Sequence, residues 1–305
     1  MKRSIYSILV LTIMTISISC NKNEVAEIKD PALAPDISLV PDRFDQKILL
    51  EYFTSASWGV CPEINLLRDS LVSENPGRLY AVSIHINDLL IDESSTTIGG
   101  INYMDSLYNP SGIYPAGFIN RKISGTSDLS PANWRSNVNS SLGTIPRCGL
   151  AIDAKTLNGN ILKVEVHTGF SANLSGEYRL HAYLVRGSFR STDTLYAQLN
   201  DFSSMGPTPD SNSVFFNQPP ILVNYNYKNF LRKVINDNGP EGDIIPAGSM
   251  YRSNDFVKTF TVDLTGIDQT GLKIVAFVDK FGSDGTSHRI ENVQMVNVGE
   301  AKDWN

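Results

Sequence analysis

The sequence is short of cysteine: three in 305 residues, at positions 20, 61 and 148. That count excludes a scaffold built on disulfides. Histidine is also scarce. His85, His167, His181 and His288 stand apart, with no carboxylates or cysteines at ligand spacing, so no metal site is encoded and no cofactor is expected. A Gly-rich phosphate loop and a serine-nucleophile elbow are both missing. There is no long basic run. Lys plus Arg is 26 against 32 Asp plus Glu, a net charge of -6, which argues against nucleic acid as a partner. No repeat of the solenoid kind occurs.

The N-terminus is the most legible stretch that is present. Lys2 and Arg3 precede the apolar run IYSILVLTIMTISIS, and small residues lead to Cys20. Residues 1–19 read as a secretory signal peptide. Ser17-Ile18-Ser19-Cys20 resembles a bacterial lipobox, with Ser17 where Leu is usual. The resemblance implies cleavage before Cys20 and lipidation of Cys20. Acyl chains contribute about 0.8 kcal/mol per buried methylene, so the expected partner at this end is a membrane. An uncleaved anchor and an ordinary signal cysteine are the alternatives. Residues 20–44 carry three prolines and no periodicity, and read as a lipid-anchored tether.

The texture of the rest changes near residue 145. From 45 to 145, strand-like KILLEYF, LYAVSIHI and GFINRK alternate with helix-like CPEINLLRDSLVSE, IGGINYMDSLY and PANWRSNVNSSL. From 146 to 305, LAIDAKTL, NILKVEVHTGF, YRLHAYLV, FVKTFTVDL, LKIVAFVD and ENVQMVNVG show strand patterns separated by turns. The fold class expected is α/β plus all-β: a sheet-and-helix domain over 45–145, then an antiparallel β-sandwich over 146–305. A long polar insert, 190–252, interrupts the second half. Within it, NYKNFLRKVI reads as a short helix or a strand.

A strand runs into Ser57-Trp58-Gly59-Val60-Cys61-Pro62, and a helix leaves it. This resembles the active-site turn of the thioredoxin fold, Trp-Cys-Gly-x-Cys, with Trp58 in the place of the first cysteine. The resemblance implies that Pro115, in Tyr114-Pro115 before GFINRK, is a cis-proline facing the cysteine turn. With ILLEYFT, AVSIHI, YPAGFINR, NYKNFLRKVI and NVQMVNVG, the chain looks like the Bacteroidetes-type 28-kilodalton outer membrane protein family. The resemblance implies an outer-membrane lipoprotein exposed at the cell surface, with adhesion or receptor roles toward an unknown protein or glycan.

Dithiol exchange needs an attacking thiolate and a resolving thiol. Cys61 matches the second position of the pair, so no catalytic residue is assigned and a non-catalytic binding protein is expected. A small buried hydrophobe is the plain reading of Cys61. A Cys61–Cys148 disulfide, or a Cys61/His85 nucleophile pair in an envelope oxidoreductase or chaperone, is the alternative. A structural subunit of an outer-membrane complex is a further one. His167 and His181 fall on neighbouring segments and suggest a cross-strand pair. The oxygen-rich stretch Asn236 to Asp243 reads as an acidic turn rather than a calcium loop. Tyr225, Tyr227 and Phe230 are the ligand contacts suggested for the insert. Asp193-Thr194-Leu195, Asp69-Ser70-Leu71 and Asp105-Ser106-Leu107 resemble a short O-glycosylation pattern, with Thr194 the best-placed acceptor.

Overall fold

The stretch ILLEYFT is buried at all seven positions and forms β1 (Ile48–Thr54). A strand covered on both faces has to be nearly continuous in apolar residues, and only Glu51 interrupts this run. The computed structural model describes residues 37–91, 95–157, 159–284 and 287–304. The signal peptide, Cys20 and the tether up to residue 36 lie outside the described residues. After β1, Pro62 occupies the first turn of α1 (Cys61–Glu74), where its missing N–H costs nothing. Gly77, at φ 71°, lets the chain turn back after the helix. β2 (Leu79–His85) then lies parallel to β1. α2 (Ser95–Tyr108) leads to β3 (Ala116–Ile119), antiparallel to β1, and α3 (Pro131–Leu142) follows. The two-residue period of β1 divides its side chains. Ile48, Leu50 and Tyr52 meet Leu71, Trp134 and Val138 of α1 and α3. Leu49 and Phe53 meet Ile101, Met104 and Tyr108 of α2.

The remaining strands are β4 (Cys148–Asp153), β5 (Thr156–Leu157), β6 (Ile161–Phe170), β7 (Tyr178–Phe189), β8 (Gln198–Leu199) and β9 (Ile221–Leu222). They continue as β10 (Tyr227–Val234), β11 (Asp243–Ile244), β12 (Asp255–Asp263), β13 (Leu272–Lys280), β14 (Arg289–Asn297) and β15 (Ala301–Lys302). One eight-stranded sheet runs β14-β13-β7-β10-β2-β1-β3, with β11 on β7. A five-stranded sheet runs β12-β6-β4-β15, with β5 on β6. The architecture is mixed α/β and mostly strand. Alternate residues of β6, Leu162, Val164 and Val166, join Leu180, Ala182 and Leu184 of β7 and Ile274, Ala276 and Val278 of β13 in one core. Burying such a side chain contributes roughly 1.5–3 kcal/mol, so this core is a main source of stability.

Of the two readings of NYKNFLRKVI, the structure has the strand: β10 pairs antiparallel with β7 and parallel with β2. Strands from both sides of residue 145 therefore share one sheet, and the span 190–252 contains β8 to β11. His167 and His181 form no cross-strand pair, because β6 and β7 lie in different sheets. His167 Nδ1 sits 2.7 Å from Asp255 Oδ2 at the sheet edge, whereas His181 stacks on Phe277 in the interior, 4.6 Å between centroids.

Glu51 is matched by an ion network that no sequence motif announces. Arg121, directly after β3, is fully buried and donates to Glu51 through Nε (2.7 Å) and Nη2 (2.9 Å). Its Nη1 reaches Asp279 Oδ2 of β13 at 3.1 Å, and its Nη2 also donates to the Tyr183 hydroxyl of β7 at 2.9 Å. The guanidinium lies over the rings of Tyr108 and Phe277, at 4.6 and 4.8 Å. Burial pushes the Asp279 carboxyl up, but His181 and Arg121 outweigh it and hold the group below the usual carboxylate range. Desolvated charges persist only with such partnering, although Asp279 Oδ1, 3.2 Å from His181 Nε2, accepts no hydrogen bond.

Candidate functional site

The site grows out of the turn between β1 and α1. Trp58 N–H donates to Ser55 O (3.2 Å) and Cys61 N–H to Trp58 O (3.0 Å), which closes two successive tight turns. Tyr114–Pro115 is cis, and Tyr114 lies against Trp58 with 4.7 Å between ring centroids. The proline turn thus faces the cysteine turn. Cys61 points under it and is fully buried. Its surroundings are Tyr52, Thr54 and Ser55. The Tyr52 hydroxyl donates to Asn65 Oδ1 of α1 (2.9 Å) and lies 2.8 Å from Thr54 Oγ1. A helix N-terminus favours a thiolate, but burial pushes the Cys61 thiol above its ordinary range despite hydrogen bonds from Thr54, Ser55 and Tyr52.

The second part of the site comes from residues 198–220, which lie on the turn as a strap. Leu199 N–H donates to Ala56 O at 2.9 Å, and Asp201 N–H donates to Gly59 O at 3.0 Å. The buried Gln198 side chain donates through Nε2 to Ala56 O and Trp58 O, both at 3.1 Å. Three carbonyls of the turn are therefore satisfied by one segment distant in sequence. Gly59 permits this approach: a Cβ there would fall 1.9 Å from Asp201 Oδ1 and 2.7 Å from Asp201 N. The Ser213 hydroxyl donates to Glu63 in the first turn of α1, which fixes the far end of the strap.

His85 ends β2 beside this turn, but it does not pair with Cys61. Its Nδ1 lies 2.6 Å from Asp88 Oδ2, and its ring meets Tyr227 and Phe230 edge-on. Asp88 also accepts from the N–H of Ala56 (2.8 Å) and of Leu90 (2.9 Å). Burial alone would raise the Asp88 carboxyl; His85 and these N–H groups hold it below its ordinary value. The His85–Asp88 pair thus fixes the turn instead of activating a thiol. Cys61 and Cys148 are separate, buried, free thiols.

Between the turn, the loop after β2 and the strap lies an open groove of about 750 Å³. Ala56, Ser57, Asp88, Leu89, Leu195 and Leu199 line it. Leu89, Leu195 and Leu199 are exposed, Leu195 at 70%. Solvent-facing leucines from three segments around one concavity suit an apolar ligand. Sequence reading missed these residues, because they sit in short irregular segments with no periodic apolar pattern. The only available signal is Leu195 and Leu199, four apart in a polar stretch.

The other candidates fall as follows. Tyr227 and Phe230 are core residues, 3% and 2% exposed, and contact His85 rather than solvent. Tyr225 is half-buried, and its hydroxyl accepts from Asn65 Nδ2 at 3.0 Å. All three pack in one cluster with Ala56 and Leu90, and none of them lines the groove. Thr194 is exposed in a single 3-10 turn, Thr194–Tyr196, whose cap Asp193 accepts from Leu195 N–H. Ser70 and Ser106 lie in α1 and α2, where their hydroxyls bond Glu74 Oε1 and Tyr103 O. In the Asn236–Asp243 turn, Asp243 accepts from Asn236 Nδ2 and from the N–H of Asp237 and Asn238. Its oxygens are thereby used locally, and no cluster of three metal-ligating acidic, histidine or cysteine residues occurs among the described residues.

No protein-family model and no curated protein matches the chain. Among solved structures, an Agrobacterium tumefaciens protein aligns at TM-score 0.49 and 12% identity, over 84% of this chain and 95% of that one. A domain of the outer membrane lipoprotein Omp28 from Porphyromonas gingivalis aligns at TM-score 0.28 and 14% identity, over 53% of this chain and 93% of that domain. HBP35 of Porphyromonas gingivalis aligns at TM-score 0.65 and 14% identity, over 85% of this chain and 77% of that chain. At that identity the likeness to HBP35 concerns the fold alone.

Proposed function

We propose that this chain is a lipid-anchored outer-membrane protein that binds a protein ligand in the groove beside the Trp58 turn and performs no thiol chemistry. In this reading residues 45–145 are a thioredoxin-type unit, and the strap lies where a substrate of such a unit would be received. One observation carries the non-catalytic part: the carbonyls of Ala56, Trp58 and Gly59 are bonded by Gln198, Leu199 and Asp201. A thiol under that cover has no approach path for a disulfide and no resolving partner. The exposed leucines beside it supply apolar anchors of the kind that carry most of the energy at protein interfaces.

Localisation is tested by protease shaving of intact cells. Loss of the protein places the folded part outside, and survival places it on the periplasmic face. Binding is tested by selecting peptides from a displayed random library on the native protein. Leu195→Asp and Leu199→Asp should weaken the selected peptides at least about tenfold each, since a buried leucine contact is worth roughly 1.5–3 kcal/mol. Undiminished binding in both variants would remove the groove from the account.

A further inference from the structure

A second concavity, of about 620 Å³, opens where the described chain begins, far in sequence from the groove. Asp42, Arg43, Asp45, Arg78, Ile145 and Arg252 are among its lining residues. Three guanidinium groups and two carboxylates therefore meet in one cleft of a protein whose net charge is -6. Arg252 Nη2 donates to Asp42 Oδ1 at 3.0 Å, with both side chains largely in solvent. Arg78 Nε donates to Gln46 O. Arg43 is exposed and makes no ion pair among the described residues.

A further cation lies beneath the surface beside Asp45 and Gln46. Lys47 is buried and donates to Trp304 O at 3.0 Å. Burial first, then Lys302, with Arg78 also contributing against the opposite pull of Asp45, lowers its amine to about 8.

The apolar residues at this place are unusual too. Ile145 is 89% exposed and Leu39, three residues before Asp42, is 93% exposed. No other large apolar side chain among the described residues is as exposed as these two. Unpaired arginine beside protruding apolar side chains is the combination that holds proteins at a bilayer interface. Sixteen residues lie between Cys20 and Ile37. They can span at most about 60 Å, so a lipid on Cys20 would keep the cleft within that reach of a bilayer.

We propose that this cleft takes the phosphate of an anionic lipid headgroup, with Arg43 and Arg252 as its donors and Leu39 and Ile145 entering the interface beside it. Guanidinium forks suit phosphate oxygens bidentately. The folded part would then sit against the membrane that carries its anchor, with an orientation fixed by this cleft. The orientation rests in part on the lipid-anchor reading; the headgroup site itself does not.

The test uses the full-length protein in phosphatidylcholine vesicles, with and without about one third phosphatidylglycerol. Hydrogen exchange is followed at residues 42–46 and 143–147. The expected result is exchange slowed about tenfold on the anionic vesicles only, and restored by about 0.5 M salt. Arg43→Ala and Arg252→Ala should each reduce the protection about fivefold. Asp42→Asn should increase it, because it releases Arg252 and removes a like charge from the phosphate. Equal exchange on both vesicle types would overturn the proposal. So would full protection by millimolar inorganic phosphate without vesicles, which would assign the cleft to a free anion. Retention on vesicles in high salt reads the anchor separately. A protein that washes off, yet shows anionic-lipid protection before the wash, would refute the anchor and keep the site.

Discussion

At the residue scale, Cys61 is pulled in opposite directions by position and by depth. The start of α1 favours a thiolate, whereas complete burial disfavours it, and burial wins. Cys61→Ala should therefore cost only roughly 1–2 kcal/mol of stability, as a small buried group removed, and should leave ligand binding intact. Asp88 is the reverse case, with its folded pKa held below the ordinary 3.8. Its contribution is present above that ordinary value and is lost as pH falls through the depressed one. Asp88→Asn should lower neutral-pH stability by roughly 1–3 kcal/mol and flatten the acid limb of denaturant midpoints measured below about pH 4. Arg121→Met leaves Glu51 and Asp279 buried without their cation, and chemical denaturation should read a loss of roughly 3–5 kcal/mol. Glu51 could have signalled this network, as the one charge in an otherwise apolar strand. Arg121 lies 70 residues from Glu51 and 158 from Asp279, so the three could not be brought together from the sequence.

At the scale of elements, periodic segments were legible and irregular ones were not. ILLEYF, LYAVSIHI and the helix starting at Cys61-Pro62 follow from buried runs, helical spacing and a proline in the first turn. NYKNFLRKVI stayed ambiguous because its buried residues Tyr227, Phe230 and Leu231 fit a three-to-four spacing as well as a strand with an irregular register. The strap was illegible for a different reason. It holds the turn with backbone hydrogen bonds and one glutamine, which leave no apolar pattern. Its weak point is Gly59. Gly59→Ala should detach the strap, because the new Cβ meets backbone as well as side chain of Asp201. Limited proteolysis should then cut within 200–219 at least about tenfold faster. Asp201→Ala in the same background should restore little, since the clash with Asp201 N remains.

At the scale of the whole molecule, β10 stands between β7 and β2 and joins the two sequence halves into one sheet. Calorimetry should show one cooperative transition for the described body, and a fragment ending at residue 145 should not fold alone, because β2 would lose its neighbour. This joint is what brings the strap to the Trp58 turn, because the strap lies in the connection between β7 and β10. The most direct measurement of that account is the rate of Cys61 modification by a small alkylating reagent in the native protein at neutral pH. The account predicts a slow rate that stops rising with reagent concentration, set by opening of the strap and raised by Gly59→Ala. A rate that stays fast, proportional to reagent and undiminished at pH 6 would show an accessible thiolate and contradict it.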